Sequence, residues 1–546
     1  MLNFACLFNW RGRRLNSKPA RFSLQMENRK PLSVVLFLCA LTSLSAKAEE
    51  YYWTAALFGP VTQVLSGIHY KNKDVACDAV YGAMRDYILS VPGTTILDEK
   101  LIQWQPSEYI VYCTIQPKFQ RPDGRGGFVI INHINTGGIG GYAGRNGNAC
   151  PSNGSVYNKI TGECDNSKDK GSCNSCPCAY VHDPINSAVG NSVQTEVDYP
   201  SNNLSSLHFT RVYNSLDGLW RHNHSTYLRI TSFAVALVMA DGRESFFTIS
   251  GSTVTASPTE LGRLTKTADT WLYTAKNNDS YSFDATGRLT RWTSAAGAEH
   301  LLNYVNSTVT VTDNLGQTLS FTEDAQHQPL TLSTAGLTIK YDYNDNQRLS
   351  KLTRTRGGQT EQRLFHYEIA NKPNLLTGIT DERGVRFTTW TFDDQDRATS
   401  SEHAGGVEHG DVVYNANGSS TVINEFGKKS IYRFVTIDGA KRVSAIEGEA
   451  LGSCPMSNST FTYDARGLLK TKTDNKGFVT TYDYNARGLE VSRTEASGTA
   501  QTRTITTIWH ATLNLPLTVT EPGRVTTYTY DAQGRQLSQS SASTAL

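Results

Sequence analysis

The amino-acid sequence predicts a mainly β protein, in which a continuous sheet of β-hairpin repeats follows a small α/β domain. Three observations favour this fold class. The 546-residue chain is rich in Gly (44) and Tyr (26) but holds only 5 Met, a composition that suits strands and turns better than packed helices. Segments that alternate apolar and polar residues recur after residue 181. From about residue 270 a short aromatic motif repeats, with 21 residues between Tyr463 and Tyr484.

The first 48 residues predict a leader for export. A basic pair precedes an apolar run over residues 31–45, and Ala46 and Ala48 are small residues suited to positions −3 and −1 of a cleavage site. This order is typical of a Sec-type signal peptide, and the run is too short to span a membrane comfortably. We therefore expect cleavage after Ala48, a secreted or cell-surface protein, and no stable membrane span in the mature chain. The sequence leaves the start open between Met1 and Met26, since Met26 would begin a leader of ordinary length.

The leader also accounts for the positive charge of the chain. The formal net charge is +2, but the first 48 residues carry eight Lys and Arg and a single acidic residue. The rest of the chain has 44 basic residues against 49 acidic ones. A mildly acidic chain without a basic stripe is a poor candidate for nucleic-acid binding, so no nucleic-acid partner is expected.

The cysteines are clustered. Five of the ten lie within 29 residues, namely Cys150, Cys164, Cys173, Cys176 and Cys178. In an exported chain this crowding predicts disulfides that staple a segment with little core of its own. The spacing of Cys173 and Cys176 would also suit zinc, but no second such pair accompanies it, and we predict no metal. Cys77 and Cys113 are expected to pair within the α/β domain. The odd thiol is left open between Cys454 and a partner protein.

Four regions are expected after the leader. Residues 49–135 predict the small α/β domain, with a helix near residues 74–90. Residues 136–180 are rich in Gly and Cys and predict a linker. Residues 181–269 predict a β region that leads into the repeats, and residues 270–546 predict the repeat array. The array stops inside a repeat and is expected to be incomplete at its C-terminal end.

The repeated motif has two aromatic residues at positions i and i+2, then Asp or Asn, then Gly three residues later, and then an apolar residue. Clear copies begin at Tyr281, Tyr341, Phe461, Tyr482 and Tyr528, although the copy at Tyr341 has Gln in place of the Gly. The two aromatic residues share one face of a strand. The Asp or Asn side chain is suited to bond back to the backbone of the turn.

Each motif position has an expected role. We expect the second rings to stack on the neighbouring repeat, and these are Phe283, Tyr304, Tyr343, Tyr463, Tyr484 and Tyr530. The motif glycines are expected to supply the positive φ of the turn, and these are Gly287, Gly467, Gly488 and Gly534. Because a single hairpin is only marginally stable, the array must depend on contacts between neighbours.

These units resemble the YD repeats of the RHS family, relatives of teneurins and of the cocoon-forming subunits of insecticidal toxin complexes. The runs at residues 183–191 and 209–215 resemble the segment that precedes the repeats in bacterial RHS proteins, so the resemblance covers about residues 180–546. It implies that the repeats wind as one continuous spiralling β-sheet into a hollow shell, which commonly encloses a variable C-terminal effector. Neither that effector nor the family's aspartyl protease segment is visible in this sequence. We therefore expect a partial shell, from a truncated gene or from a component that another polypeptide completes.

No catalytic motif is found in the chain. It has no HExxH helix, no Gly-x-Ser-x-Gly elbow and no Cys/His pair with a third positioned group. The acidic run at Asp393, Asp394 and Asp396 lacks the spacing of a calcium loop and predicts a polar turn. We expect neither an enzyme nor a cofactor.

The expected function is that of an exported scaffold in cell-contact, toxin-delivery or competition systems. The alternative is a module that binds cell-surface carbohydrate through exposed rings of an aromatic-rich sheet, because ring faces stack on sugars. A polymorphic toxin that has lost its effector is less favoured. Expected partners are a C-terminal effector or completing polypeptide, and a cell-surface glycan.

Overall fold

A computed structural model defines the fold. It describes residues 52–58, 65, 68–70, 72–107, 109–133, 139–146, 156–158, 163–171, 177–202, 205–448 and 458–544. The predicted signal peptide, Cys150, Cys173, Cys176 and Cys454 lie outside the described residues.

The N-terminal domain is an antiparallel sheet with one helix against it. Its elements are β1 (Tyr52–Leu57), α1 (Lys73–Leu89), β2 (Thr95–Ser107), β3 (Ile110–Pro122), β4 (Phe128–Asn132) and β5 (Ile139–Asn146). The strand order is β1-β5-β3-β2, and β4 also pairs with β3. The helix begins where the Asn72 side chain accepts a hydrogen bond from the Val75 amide, which satisfies an otherwise unpaired donor. Its buried side packs on the alternate residues of β3 that point away from solvent.

A disulfide fixes the helix to the sheet. Cys77 of α1 is bonded to Cys113 of β3, with 5.4 Å between their Cα atoms, so the predicted pairing is confirmed. Both cysteines are fully buried. The bond closes a loop that carries the helix and the whole of β2, and it therefore restricts the unfolded chain.

The predicted linker begins too early. Strand β5 pairs with β1 and β3 and belongs to the N-terminal sheet, so residues 139–146 are not a flexible connection. The glycines read as flexible are instead required by close packing. A Cβ atom on Gly140 would lie 2.1 Å from the Cys113 carbonyl oxygen, and one on Gly141 would lie 1.9 Å from that of Ala56.

Short elements connect this domain to the repeats. Strands β6 (Val156–Asn158), β7 (Glu163–Asp165), β8 (Tyr180–Val181) and β9 (Ile185–Asn186) form two small hairpins, with a 3₁₀ turn at Ser167–Asp169. Cys164 and Cys178 are both disulfide-bonded.

Two further sheets precede the array. The lead-in sheet comprises β10 (Val193–Tyr199), β11 (Phe209–Asn214) and β12 (Leu219–His222). A four-stranded sheet follows, with β13 (Tyr227–Ile230), β14 (Ala234–Val238), β15 (Glu244–Ser250) and β16 (Thr253–Ala256). Both are antiparallel.

The repeats form one antiparallel sheet of 26 strands, each paired with the next along the chain, which confirms the predicted fold class. The strands are β17 (Arg263–Thr267), β18 (Thr270–Thr274), β19 (Ser280–Phe283), β20 (Leu289–Thr293), β21 (Glu299–Val305), β22 (Thr308–Asp313), β23 (Thr318–Glu323), β24 (Pro329–Thr334), β25 (Leu337–Tyr343), β26 (Leu349–Arg356), β27 (Gln359–His366), β28 (Gly378–Thr380), β29 (Arg386–Phe392), β30 (Ala398–His403), β31 (Val407–Tyr414), β32 (Ser420–Ile423), β33 (Lys429–Ile437), β34 (Ala440–Gly448), β35 (Ser459–Tyr463), β36 (Leu469–Thr473), β37 (Val479–Tyr484), β38 (Glu490–Glu495), β39 (Arg503–Trp509), β40 (Pro516–Glu521), β41 (Arg524–Tyr530) and β42 (Gln536–Ser543). The sheet therefore begins at Arg263, slightly before the predicted array.

The core lies between the lead-in sheet and the repeat sheet. Phe209, Tyr213 and Trp220 of the lead-in sheet are fully buried in one cluster with apolar side chains from the repeats, among them Phe321 and Trp390. Burial decreases toward the end of the array. Among the described apolar residues after position 458, only Phe461, Leu489 and Ile505 are buried, and β42 is exposed along its whole length.

Candidate functional site

The turns of most repeats are braced by an acidic or amide side chain. After Phe283, the Oδ1 atom of Asp284 accepts hydrogen bonds from the amides of Thr286 (2.9 Å) and Arg288 (3.0 Å). The same pair of bonds to positions i+2 and i+4 recurs at Asp313, Asp324, Asn344, Asp381, Asp393, Asn424, Asp464, Asp474, Asn485 and Asp531. The Asp or Asn of the motif therefore closes the turn, as the sequence predicts.

The motif glycines are the fourth residues of these turns, three positions after the Asp or Asn, and their amides donate to its carbonyl. The φ angles are +91° at Gly287, +72° at Gly467 and Gly488, and +84° at Gly534. Gly287 has a second constraint, because a Cβ atom there would lie 2.2 Å from the carbonyl oxygen of Leu228 in β13.

The second aromatic residue of most repeats holds a backbone carbonyl of the preceding hairpin. The bonds run from the Tyr hydroxyl, or from the Trp509 indole, to a carbonyl oxygen at 2.5–2.8 Å, in the pairs Tyr304–Leu289, Tyr343–Pro329, Tyr414–Ala398, Tyr463–Val443, Tyr484–Leu469, Trp509–Glu490 and Tyr530–Pro516. In all but the Val443 case the acceptor is the first residue of its strand. We call these contacts the hydroxyl ladder.

Strand pairing explains why the ladder exists. Leu469 is opposite Tyr463 on one side, but the pairing of β36 with β37 on the other side begins two residues later, at Thr471. The Leu469 carbonyl consequently lies outside the regular hydrogen bonds of the sheet. A half-buried carbonyl without a partner is costly, and Tyr484 supplies the donor.

The expected ring-on-ring stacking is replaced by this contact. Of the ring contacts among the described residues, none joins two of the six second rings predicted to stack. Phe283 lacks a hydroxyl and is fully buried in the core instead. Where a ring face is covered, an arginine covers it: Arg288 lies 5.0 Å from the Tyr304 ring centre, and Arg397 lies 4.1 Å from that of Tyr414.

A buried arginine joins the lead-in sheet to the repeats. Strand β11 alternates, and Arg211 occupies a position on its apolar side, between Phe209 and Tyr213. Its guanidinium forms two hydrogen bonds to Asp198 of β10, at 2.5 and 3.0 Å, and both side chains are essentially inaccessible to solvent. The hydroxyl of Tyr341, from the repeat strand β25, donates to the same carboxylate at 2.7 Å. We call this group the Arg211 centre.

Aromatic faces complete the surroundings of the cation. The guanidinium carbon lies 4.7 Å from the Trp220 ring, 5.2 Å from Tyr341 and 5.4 Å from Phe365. Burial by itself would lower the pKa of Arg211, but the Asp198 carboxylate raises it above its ordinary value. The residue is therefore a permanent cation inside the core.

Neighbouring charges extend this centre into three more repeat elements. Arg363 forms ion pairs with Glu196 of β10 and with Glu382, and Arg354 contacts Glu382 at 3.4 Å. The sequence analysis did not predict a role for any of these side chains. The available signal was the charged residue on the apolar side of an alternating strand, since such a charge requires a buried partner.

Further polar contacts fix the lead-in region along the repeats. The Tyr213 hydroxyl donates to the Asn374 carbonyl at 2.5 Å and accepts from the Leu376 amide at 2.9 Å. The Trp390 indole donates to the Asp183 carbonyl at 2.9 Å, and the Ser420 hydroxyl donates to the Ser187 carbonyl at 2.6 Å. Long stretches of the array are therefore bound to one short segment.

The remaining sequence candidates have structural roles. Asp393 braces a turn and pairs with Arg397 at 2.6 Å, and Asp396 pairs with Lys372 at 2.8 Å. Over the described ranges, no group of three or more His, Cys, Asp or Glu is arranged to hold a metal ion. Nor does any described helix have the length and apolar character needed to cross a membrane.

Comparison with known families agrees with this geometry. Residues 463–500 and 512–545 match the family model of the RHS repeat. These two segments are RHS repeats. Residues 182–247, which include the whole lead-in sheet, match a family described as a domain of unknown function, DUF6531. The RHS repeats thus coincide with strands that carry the turn braces and the hydroxyl ladder.

Solved toxin-complex structures show limited similarity to this chain. TcdB2-TccC3 without its hypervariable C-terminal region is 10% identical over 80% of this chain and 26% of that chain, with a TM-score of 0.31. TcdB2-TccC3 itself is 11% identical over 71% and 23%, with a TM-score of 0.28. The Photorhabdus luminescens Tc holotoxin pore is 11% identical over 80% and 26%, with a TM-score of 0.25. The chain spans about a quarter of the length of these chains. None of the curated proteins matches it.

The hydroxyl ladder predicts a difference between the two tyrosines of one repeat. Tyr484→Phe removes the donor to the Leu469 carbonyl and is expected to reduce the free energy of unfolding by about 1 kcal/mol. Tyr482→Phe is the matched control, because its hydroxyl has no hydrogen-bond partner among the described residues. Thermal and denaturant unfolding of both variants provide the measurement. Equal midpoints for the two variants would contradict the ladder.

The Arg211 centre predicts a strong effect of breaking a buried ion pair. Arg211→Met leaves Asp198 buried without its cation and is expected to cost about 3–5 kcal/mol of stability. The double variant Arg211→Met, Asp198→Leu should recover part of that loss. Arg433→Met, which breaks an ion pair with Glu447 on the surface, should change the unfolding midpoint little. Similar midpoints for R211M and R433M would contradict the assigned role.

Proposed function

We propose that the protein is an exported, non-enzymatic RHS-repeat scaffold that forms part of a β-shell and serves cell contact, toxin delivery or competition between cells. The observation that carries this proposal is the uninterrupted 26-strand sheet bound along one side to the lead-in region. The buried side chains of Arg211 and Asp198 bond to each other, and Tyr341 of the repeats donates to the same carboxylate, so that a buried polar group joins these two layers. Such an arrangement favours a structural role for the sheet.

The gradient of burial supports a completing polypeptide as partner. Strands β17–β32 have an apolar side covered by the lead-in region, whereas β35–β42 bury only Phe461, Leu489 and Ile505 among their described apolar residues. Half-buried apolar side chains there, including Leu469 and Val519, gain stability when a second layer covers them. An effector or a further chain segment of the same family would supply that layer.

The scaffold proposal is tested in the native bacterium by a competition assay against susceptible neighbours. Strains that carry the wild-type gene, a deletion, R211M or the surface control R433M are compared at matched protein levels. The deletion and R211M strains should lose their advantage, while R433M should keep it, because R211M breaks a buried ion pair at the junction of the two layers and R433M breaks one on the surface. Equal fitness of the deletion and wild-type strains would refute the proposal. Sequencing of the exported chain tests cleavage after Ala48.

A second candidate function is favoured by a row of exposed rings on the N-terminal domain. Phe58, Tyr142, Tyr112 and Trp104 come from neighbouring strands and lie side by side on the face opposite α1. Trp104 and Tyr112 are 5.2 Å apart with nearly parallel planes, and Phe58 lies 5.9 Å from Tyr142. We call these four side chains the aromatic row.

The aromatic row suits a carbohydrate chain. Phe58, Trp104 and Tyr142 are 53%, 59% and 36% exposed, so their rings are accessible to a ligand. Ring faces stack on the C–H faces of pyranose sugars, and Thr114 of β3 follows Tyr112 on the same face to bond hydroxyl groups. The alternative of a glycan-binding module is thus moved from the repeats to the N-terminal sheet.

A glycan array probed with the full chain tests this candidate. Trp104→Ala and Tyr112→Ala are expected to reduce binding at least tenfold, since each removes a stacking surface. Phe426→Ala is the control, because Phe426 is 82% exposed on a repeat turn outside the row. Binding that survives both row variants, or no binding to any glycan, would rule the candidate out.

A further inference from the structure

A cluster of histidines lies where the lead-in region meets the first repeats. His208 precedes β11, His222 ends β12 and His224 follows it, while His300 belongs to the repeat strand β21. The ring centres of His224 and His300 are 5.6 Å apart, those of His208 and His300 are 6.1 Å apart, and those of His222 and His224 are 6.3 Å apart. We call these four residues the histidine cluster.

The cluster is enclosed by apolar rings. His222, His224 and His300 are at most 4% exposed, and the rings of Phe209 and Phe321 lie between them. The four imidazoles make mostly neutral contacts. His224 Nε2 lies 3.1 Å from the His208 carbonyl, and His300 Nε2 lies 3.0 Å from the Ser206 hydroxyl.

The charged and titratable groups around the cluster are unevenly placed. Glu323 of β23 contacts His222 at 3.0 Å and His327 at 2.9 Å, so an anion is available to these two rings. On the other side, Asp313 of β22 lies near His300 and accepts a hydrogen bond from Ser205 at 2.7 Å. Tyr227 packs on His327, and Tyr341 packs on Phe209. No carboxylate forms an ion pair with His224 or His300 among the described residues.

We propose that the histidine cluster is an acid-operated latch, in which protonation of His224 and His300 releases the lead-in region from the first repeat strands. Two cations less than 6 Å apart in an apolar enclosure repel each other and lose their hydration. Three of the four rings belong to the lead-in region and one to the repeats, so the repulsion acts across the interface. Separation admits water and relieves both costs.

The direction of the pH dependence follows from the shifts. Burial lowers the pKa of His224 well below its ordinary value, and burial and the neighbouring His208 lower that of His300 to about 4. When the rings are released into water, their pKa values return to about 6.5. The latch is therefore fully stable above pH 6.5 and weakens as the pH falls toward 4. Burial would raise the pKa of Glu323, but hydrogen bonds from His222 and His327 lower it to about 2. Glu323 therefore remains an anion throughout this range and does not itself operate the latch.

Hydrogen–deuterium exchange on the full chain between pH 7.5 and 4 tests the latch, with rates corrected for the intrinsic effect of pH. Amides of residues 207–228 and 299–305 should lose protection with a midpoint between pH 6.5 and 4. Amides of residues 111–115, in the core of the N-terminal sheet, serve as the internal reference and should stay protected. Unchanged protection of 207–228 down to pH 4 would overturn the proposal, and so would simultaneous loss in the reference.

Variants separate the sensors from other histidines. His224→Gln with His300→Gln removes both ionisable rings and should shift the midpoint down by at least one pH unit. His300→Gln alone should give a smaller shift in the same direction, which keeps the test informative if the double variant does not fold. His409→Gln is the control, because His409 is only half-buried and pairs with Glu402 and Asp411 outside the cluster. A midpoint unchanged in H300Q, or one shifted equally in H409Q, would overturn the assignment.

Discussion

The repeat sheet depends on satisfying the carbonyl groups that its turns leave outside the strand pairing. A motif turn shifts the register by one residue at the second aromatic position, as between Asp483 and Tyr484. The first carbonyl after the preceding turn is then without a partner in the sheet, and the ring of the next strand reaches over to bind it. This single requirement explains why Tyr prevails at that position, why Trp509 can replace it, and why Phe283 occurs where the ring enters the core instead.

A sheet of this length also needs a second layer. One face of a hairpin array is apolar, and neighbouring strands cannot cover that face for each other. The lead-in sheet provides the cover for the first part of the array, through Phe209, Tyr213 and Trp220. The buried pair of Arg211 and Asp198 adds little to stability compared with two well-packed apolar residues in their place, but it requires Asp198 and Tyr341 to meet at one point. The centre therefore fixes the position of the layer more than its strength.

The sequence predicts the strands and turns well because their signals are local. Period-two alternation and the Asp and Gly of the motif act within ten residues, and the structure forms a hairpin at each of the five clear copies. The stacking prediction was wrong for the second aromatic residues. Whether such a side chain contacts another ring or a backbone carbonyl depends on the register of the paired strands, and the motif does not encode that register. Gly140 and Gly141 misled for the same reason, since their need for close packing arises from β1 and β3, far away in the chain. The Arg211 centre joins residues more than 100 positions apart in the chain. The sequence indicated only that a charged residue occupies the apolar side of an alternating strand.

The two polar clusters that hold the lead-in region differ in kind, and this difference decides what each can do. At Arg211 the cation is permanent, because an arginine side chain stays protonated over the whole physiological pH range. Both the guanidinium and the Tyr341 hydroxyl bond to the Asp198 carboxylate, and the charge of Arg211 does not change with pH. At His224 and His300 the contact is stable only while the rings are neutral. The first anchors the layer near β25–β27 and the second near β21–β23. A change in acidity therefore acts on one end of the interface and leaves the other attached, which is the arrangement that a hinge requires.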